Sequence, residues 1–140
     1  MLNQIGLFDE DYFTFHEEFD LSWRAKLFGW KCVYVSKAVV YHIGGATAGR
    51  GSKFLKYHSE RNRLLTIIKN YPFISFLRYF PYIFKYELDI LFRIITSFEY
   101  ELISARFAAF KLLSRMLKKR IPIQKGRVIS NREFESWIVK

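Results

Sequence analysis

Between positions 73 and 117, large apolar side chains return every three or four residues: Phe73, Phe76, Leu77 and Phe80 before Pro81, then Phe84, Leu88, Leu91, Phe92, Ile95, Phe98, Leu102, Phe110, Leu113 and Leu117. No other feature limits the fold as strongly. This step matches the turn of an α-helix, about 3.6 residues, and not the two-residue alternation of a strand, so the region is predicted to be helical with a wide aromatic face. The other face carries Arg78, Lys85, Arg93, Arg106, Lys111 and Arg115 and runs into Lys118-Lys119-Arg120. Pro72 separates this region from an earlier helix, which Ser52 is placed to cap and which is predicted to run to about Asn70.

The charge divides at the same place. Residues 1–49 hold four Lys/Arg against six Asp/Glu, and the remainder of the 140 residues hold nineteen against seven, so the net charge of +10 belongs to the second part. Such asymmetry calls for an anionic partner. Nucleic acid is set aside because no reader motif accompanies the charge. A membrane surface is preferred: residues 106–120 carry six basic side chains and no acid, each worth about 1 kcal/mol beside an anionic leaflet. The longest uncharged stretch, residues 38–49, has twelve residues with two successive glycines, short of the roughly 20 a membrane helix needs. The first twenty residues carry acids where a secretory signal would need a basic and then an apolar stretch. A single cysteine, Cys32, excludes an intrachain disulfide and is read as an inert buried thiol of a reducing compartment.

The first part opens irregularly with MLNQIGLFDEDYF and then places Glu17, Glu18 and Asp20 within FHEEFDLSWR. Asp20, Leu21, Trp23, Arg24, Leu27 and Phe28 recur at helical spacing, predicting a helix over 18–28 with Asp20 and Arg24 as an i,i+4 pair and Gly29 as its stop. KCVYVS (31–36) and AVVYH (38–42) have the composition of short strands, and the glycine-rich stretch after them reads as loop. Three acids so close together admit two readings: a helix start favoured by the helix dipole, or a carboxylate required by a reaction.

Taken together, G-x-F-D-E (6–10), E-E-x-D-L-x-x-R (17–24), G-W-K (29–31), V-Y-V (33–35), V-Y-H-x-x-G (40–45) and the Arg61-Asn62 pair resemble the second half of the catalytic domain of family 2 glycosyltransferases, in particular the rhamnosyltransferase-like members that build bacterial surface polysaccharides. The resemblance covers residues 5–70. It implies an α/β fold: the C-terminal, acceptor-side part of a GT-A nucleotide-diphospho-sugar transferase domain over 1–70, followed by a mainly α-helical amphipathic and basic extension over 71–140. It also implies a nucleotide-sugar donor, a glycan or lipid-linked acceptor, and a divalent cation, Mg or Mn. The family's Asp-x-Asp half is not found, and the D-E-D at 9–11 is not read as that motif. The chain is therefore expected to be a fragment of a longer transferase or a truncated reading frame, inactive alone.

By position, Glu18 matches the family's catalytic base, with glutamate in place of the usual aspartate, and His42 matches a position that often supplies a metal ligand. Glu17, Asp20, Arg24, Trp30, Gly44, Gly45, Arg50 and Lys53 complete the expected acceptor- and donor-binding set. Asp20 and Arg24 read more readily as a structural pair than as catalytic groups, and Trp30 most simply as core, or else as the border of an acceptor site. Gly44 and Gly45 would let a phosphate approach the backbone, and Arg50 and Lys53 suit a loop folded over a diphosphate. The expected location is cytoplasmic, peripheral at the inner face of the cell membrane. The alternative is a non-enzymatic amphipathic helical module that binds a membrane surface or a partner protein.

Overall fold

The computed structural model describes residues 1–41, 49 and 51–138. Among them the chain forms seven α-helices: α1 (Leu2–Ile5), α2 (Glu17–Leu27), α3 (Lys53–Asn70), α4 (Phe73–Ser97), α5 (Tyr100–Lys111), α6 (Leu113–Gly126) and α7 (Asn131–Ser136), with a 3-10 turn at Glu10–Tyr12. Helices α2 and α3 form close to where the sequence leads one to expect, and α4, α5 and most of α6 fall within the predicted helical region, whereas α1, the 3-10 turn and α7 were not expected. Ser52 Oγ accepts from the Leu55 N–H at 3.1 Å and starts α3. Gly29, at φ 82°, ends α2: its N–H donates to Lys26 O and the Trp30 N–H reaches back to Ala25 O, the paired bonds of a Schellman cap. Pro72 stands at the N-terminus of α4, and α4 continues through Pro81.

The α/β expectation is overturned. Among the described residues there is no strand, and the fold is a helical bundle. Residues 31–41, where both strands were expected, are irregular and exposed throughout. Val40 and Tyr41 stand almost fully in solvent. The reason lies in what β-composition measures. Branched and aromatic residues favour a pleated surface that neighbouring strands must supply, and a lone pair of short strands is marginal in water. Among the described residues no strand pairs with VYV or VVY. Cys32, expected to be buried, is exposed in this same stretch.

Helix α3 is the axis of the bundle. Leu65 packs with Tyr12, Ala109 and Met116, flanked by Leu64, Ile68 and Leu112, so α5 and α6 lie along α3 and the 3-10 turn closes over it. A second cluster joins Leu27, Ile123, Ile129 and Phe134. Against it Trp23 stacks on Tyr71 at 5.1 Å, tying α2 to the end of α3. Helix α4 returns antiparallel along α3, where Tyr86 Oη donates to Glu60 Oε1 at 2.7 Å and the Arg63 guanidinium lies 4.0 Å from the Tyr86 ring centre. At its other end the Ser75 hydroxyl donates to Glu135 of α7 at 2.9 Å.

Leu65 is wholly buried at the centre of the first cluster, whereas Phe92 is two-thirds exposed on α4. Leu65→Ala is therefore expected to lower the urea-unfolding free energy by about 2–5 kcal/mol. Phe92→Ala is expected to change it by no more than about 0.5 kcal/mol.

Candidate functional site

The acidic stretch singled out in the sequence sits where α2, α3 and the 3-10 turn meet, and its centre is a buried carboxylate. Asp20 is completely removed from solvent. Burying an unpaired charge is prohibitive, so the fold surrounds it with donors. Arg24 Nε donates to Oδ2 at 2.9 Å. Lys69 Nζ lies 2.7 Å from Oδ1, Asn70 Nδ2 donates to it at 2.8 Å, and the Tyr12 hydroxyl donates at 3.3 Å. Burial, reinforced by the Asp20 charge, raises the Tyr12 hydroxyl well above its ordinary pKa, which keeps its proton in place to donate.

The network continues outward from both cations. Arg24 uses its remaining nitrogens on the carbonyls of Ile5, Gly6 and Leu7, which fixes the N-terminal segment on α2. Lys69 also lies 2.6 Å from Asp9 Oδ2. Lys119 reaches Asp9 and Asp11 from α6, and Arg115 reaches Asp11. These pairs border a cleft of about 580 Å³ between the N-terminal segment and α6. Burial by itself would raise the Asp9 carboxyl, but hydrogen bonds from Lys119 and Lys69 hold it at about 2, below its ordinary 3.8.

The loop that leads into α2 is strained, and α3 holds it. Phe13, Phe15 and His16 all have positive φ, at 61°, 62° and 66°, a region that costs side-chain-bearing residues of order 1–3 kcal/mol each unless their surroundings enforce it. At Phe13 the φ of 61° and ψ of −61°, with the Thr14 N–H donating to Tyr12 O at 2.7 Å, make a γ-turn of the strained hand. The enforcing groups are Arg61 and Asn62. Asn62, fully buried, donates through Nδ2 to the carbonyls of Tyr12, Thr14 and Phe15 at 2.7–2.9 Å. Its Oδ1 accepts from Arg61 Nε at 2.9 Å, and Arg61 Nη2 donates to the carbonyls of Asp11 and Tyr12. One amide group, sharing its two hydrogens, thus reaches three loop carbonyls, and those of Thr14 and Phe15 have no other donor among the described residues.

The expected site residues separate into distinct groups. Glu18 is exposed in the first turn of α2 and takes no part in the Asp20 network. Glu17 beside it is half-buried, and its Oε2 is shielded from solvent with no donor among the described residues. Asp20 and Arg24 are buried structural partners. Trp30 is exposed and donates from Nε1 to Gln4 Oε1 at 2.9 Å, lining a shallow cleft with Trp23 and Cys32. Lys53 is the exposed first residue of α3. His42, Gly44, Gly45 and Arg50 lie outside the described residues.

Among the described residues no three His, Cys, Asp or Glu side chains converge to hold a metal ion. Asp9 and Asp11 are close but already bound by lysine and arginine, so these residues do not fit the expected cation. Tyr12, Asn62, Lys69 and Asn70 were not predicted as members of the site. Beside α2 lies an aromatic groove of about 340 Å³, lined by His16, Phe19, Trp23, Tyr71, Tyr79 and Tyr82. Burial lowers the His16 pKa, against the opposing charge of Glu18, so its ring is neutral at neutral pH.

Comparison with protein-family models, with curated proteins and with solved structures found no match.

The Asp9 shift has a definite sign. A carboxyl whose pKa is lowered by folding stabilises the folded state above its ordinary value of 3.8 and loses that contribution as pH falls through about 2. Urea-unfolding free energy should therefore drop by about 2 kcal/mol between pH 5 and pH 2 through this group. In Asp9→Asn that component of the pH dependence should be absent.

Proposed function

We propose that this chain forms the acceptor side of an inverting glycosyltransferase, which moves a sugar from a nucleoside-diphosphate donor to a hydroxyl of a glycan or lipid-linked acceptor, with Glu18 as the general base. The observation that carries this reading is the division of labour within E-E-x-D. Asp20 is consumed by four donors in the interior, while Glu18, two residues earlier in α2, is exposed just after a strained and clamped loop. A base must meet its proton donor within hydrogen-bond reach, and a rigid support makes that geometry repeatable.

The surroundings suit an acceptor sugar. The groove lined by His16, Phe19, Trp23, Tyr71 and Tyr79 is an aromatic surface of the kind that receives the apolar side of a pyranose, and Arg63 also lines it. His16, its pKa lowered by burial, is neutral at neutral pH and places no positive charge beside Glu18. In the reaction the Glu18 carboxylate takes the proton from the acceptor hydroxyl as that oxygen bonds to the anomeric carbon. The bond to the diphosphate breaks on the opposite side, and the diphosphate leaves with the electron pair. The donor and its divalent cation belong to the Asp-x-Asp half of the family's catalytic unit.

The test is sugar transfer by this chain joined to a donor-binding half of that family. Glu18→Gln is expected to lower kcat by about 10²–10⁴-fold with little change in donor KM. Glu17→Gln should have a smaller effect. Full activity in Glu18→Gln would remove the base assignment.

A further inference from the structure

Helix α4 is apolar on two sides. The side toward the bundle is formed by Ser75, Tyr79, Ile83, Tyr86 and Ile90. About 140° around the helix, at the same three- and four-residue spacing, Phe73, Leu77, Phe80, Phe84, Leu88, Leu91 and Ile95 are exposed along its length. The paired α5 and α6 repeat the arrangement. Leu102, Ala105, Ala109 and Met116 face α3, while Phe107, Phe110, Leu117 and Ile121 stand in solvent, Phe110 with 73% of its surface exposed.

These two stripes form one face. Glu87 of α4 and Arg106 of α5 join the two helices at 3.1 Å, each also bound to α3, through Arg63 and Glu60 respectively. Around each helix the order is the same: bundle side, bridge residue, exposed stripe. The chain reverses at Phe98 between them, so the helices run antiparallel and the shared order turns both stripes outward, on the side of the bridge away from α3. The outer edge of the face carries more basic than acidic groups, the exposed Asp89 being the one acid beside Lys85 on the α4 flank among the described residues. Lys85 and Arg78 follow the α4 stripe, and Lys111 and Lys118 follow the α5–α6 stripe. Arg78 pairs with Glu135, but Lys85, Lys111 and Lys118 have no carboxylate within ion-pair distance among the described residues.

We infer that this two-helix face lies in the interface of an anionic lipid bilayer, with the phenylalanine and leucine side chains among the upper acyl chains and Lys85, Lys111 and Lys118 reaching the headgroups. An apolar face this continuous is unusual on an isolated soluble domain. Its edging by long cationic side chains matches the charge of a lipid surface, and their stems can lie along the apolar face while the ammonium groups stay in water. No helix among the described residues is long and apolar enough to cross a membrane, so the proposed contact is flat rather than spanning. This inference is independent of the transfer site, which lies on α2.

The experiment is flotation of the full chain with phosphatidylcholine vesicles, with and without phosphatidylglycerol, alongside sedimentation of the chain alone. Binding should require the anionic lipid. Replacing Lys85, Lys111 and Lys118 by Gln should weaken it about fivefold per charge. Phe84→Ser with Leu88→Ser, both at exposed positions that leave the core intact, should weaken it at least about tenfold while circular dichroism stays unchanged. Absence of binding to anionic vesicles would overturn the proposal, as would unchanged binding of the folded serine variant. A discrete dimer dissolved by the serine substitutions, without vesicle binding, would overturn it in favour of a contact between copies of this chain.

Discussion

The structure depends on keeping one carboxylate charge in its interior. Asp20 has no solvent, and the cost of that burial is offset only because Arg24, Lys69, Asn70 and Tyr12 reach it from three different segments. Those four partners set the relative positions of α2, the end of α3 and the 3-10 turn. Arg24 carries the constraint to the N-terminal segment through three carbonyls, and Lys69 carries it through Asp9 and Asp11 to Lys119 on α6. Residue 5 and residue 119 are thus joined by one continuous polar path through Arg24, Asp20, Lys69 and Asp9.

That arrangement gives the adjacent acids different physical circumstances. Asp20 is held; Glu18 is presented. The loop before α2 takes up three unfavourable backbone conformations in four residues, and the Arg61-Asn62 pair on α3 stabilises them by hydrogen-bonding the loop's carbonyls. Local strain maintained by distant groups is the form that preorganisation takes in a backbone. On the proposed reading, the acceptor side of a sugar transferase uses this rigidity to keep a base in one place. The outward face of α4 and α5–α6 would then bring a lipid-linked acceptor's surface to the same molecule.

Much of the helical framework was legible beforehand. Ser52, Gly29 and Pro72 mark helix ends through chemistry that acts locally, and the three- and four-residue spacing after position 73 admits little but helix. Asp20 and Arg24 could be paired from their spacing alone. The strands failed because their composition describes a need for neighbours, and among the described residues no strand pairs with residues 31–41. Lys69 and Asn70 were hidden for another reason. A lysine at the end of a helix ordinarily reads as solvated, and only the tertiary approach of Asp9 and Asp20 makes it a buried ion-pair partner. Arg61-Asn62 stood out by family resemblance, whereas the physical task of the pair, holding a γ-turn and two left-handed residues, required coordinates. Cys32 lay in an apolar run that proved to be open to solvent, so its local composition pointed the wrong way.

The most direct test of this account is backbone hydrogen exchange in Asn62→Ala. If Asn62 holds the loop that presents Glu18, the Thr14 amide, bonded to Tyr12 O, and the Asp20 amide, bonded to His16 O, should exchange at least about tenfold faster than in the wild type, corresponding to about 1.4 kcal/mol or more of lost local stability. Amides in the middle of α5, remote from the loop, should slow or quicken only with global stability. Unchanged protection at Thr14 and Asp20 would contradict the account, because the loop's conformation would then owe nothing to the clamp on α3.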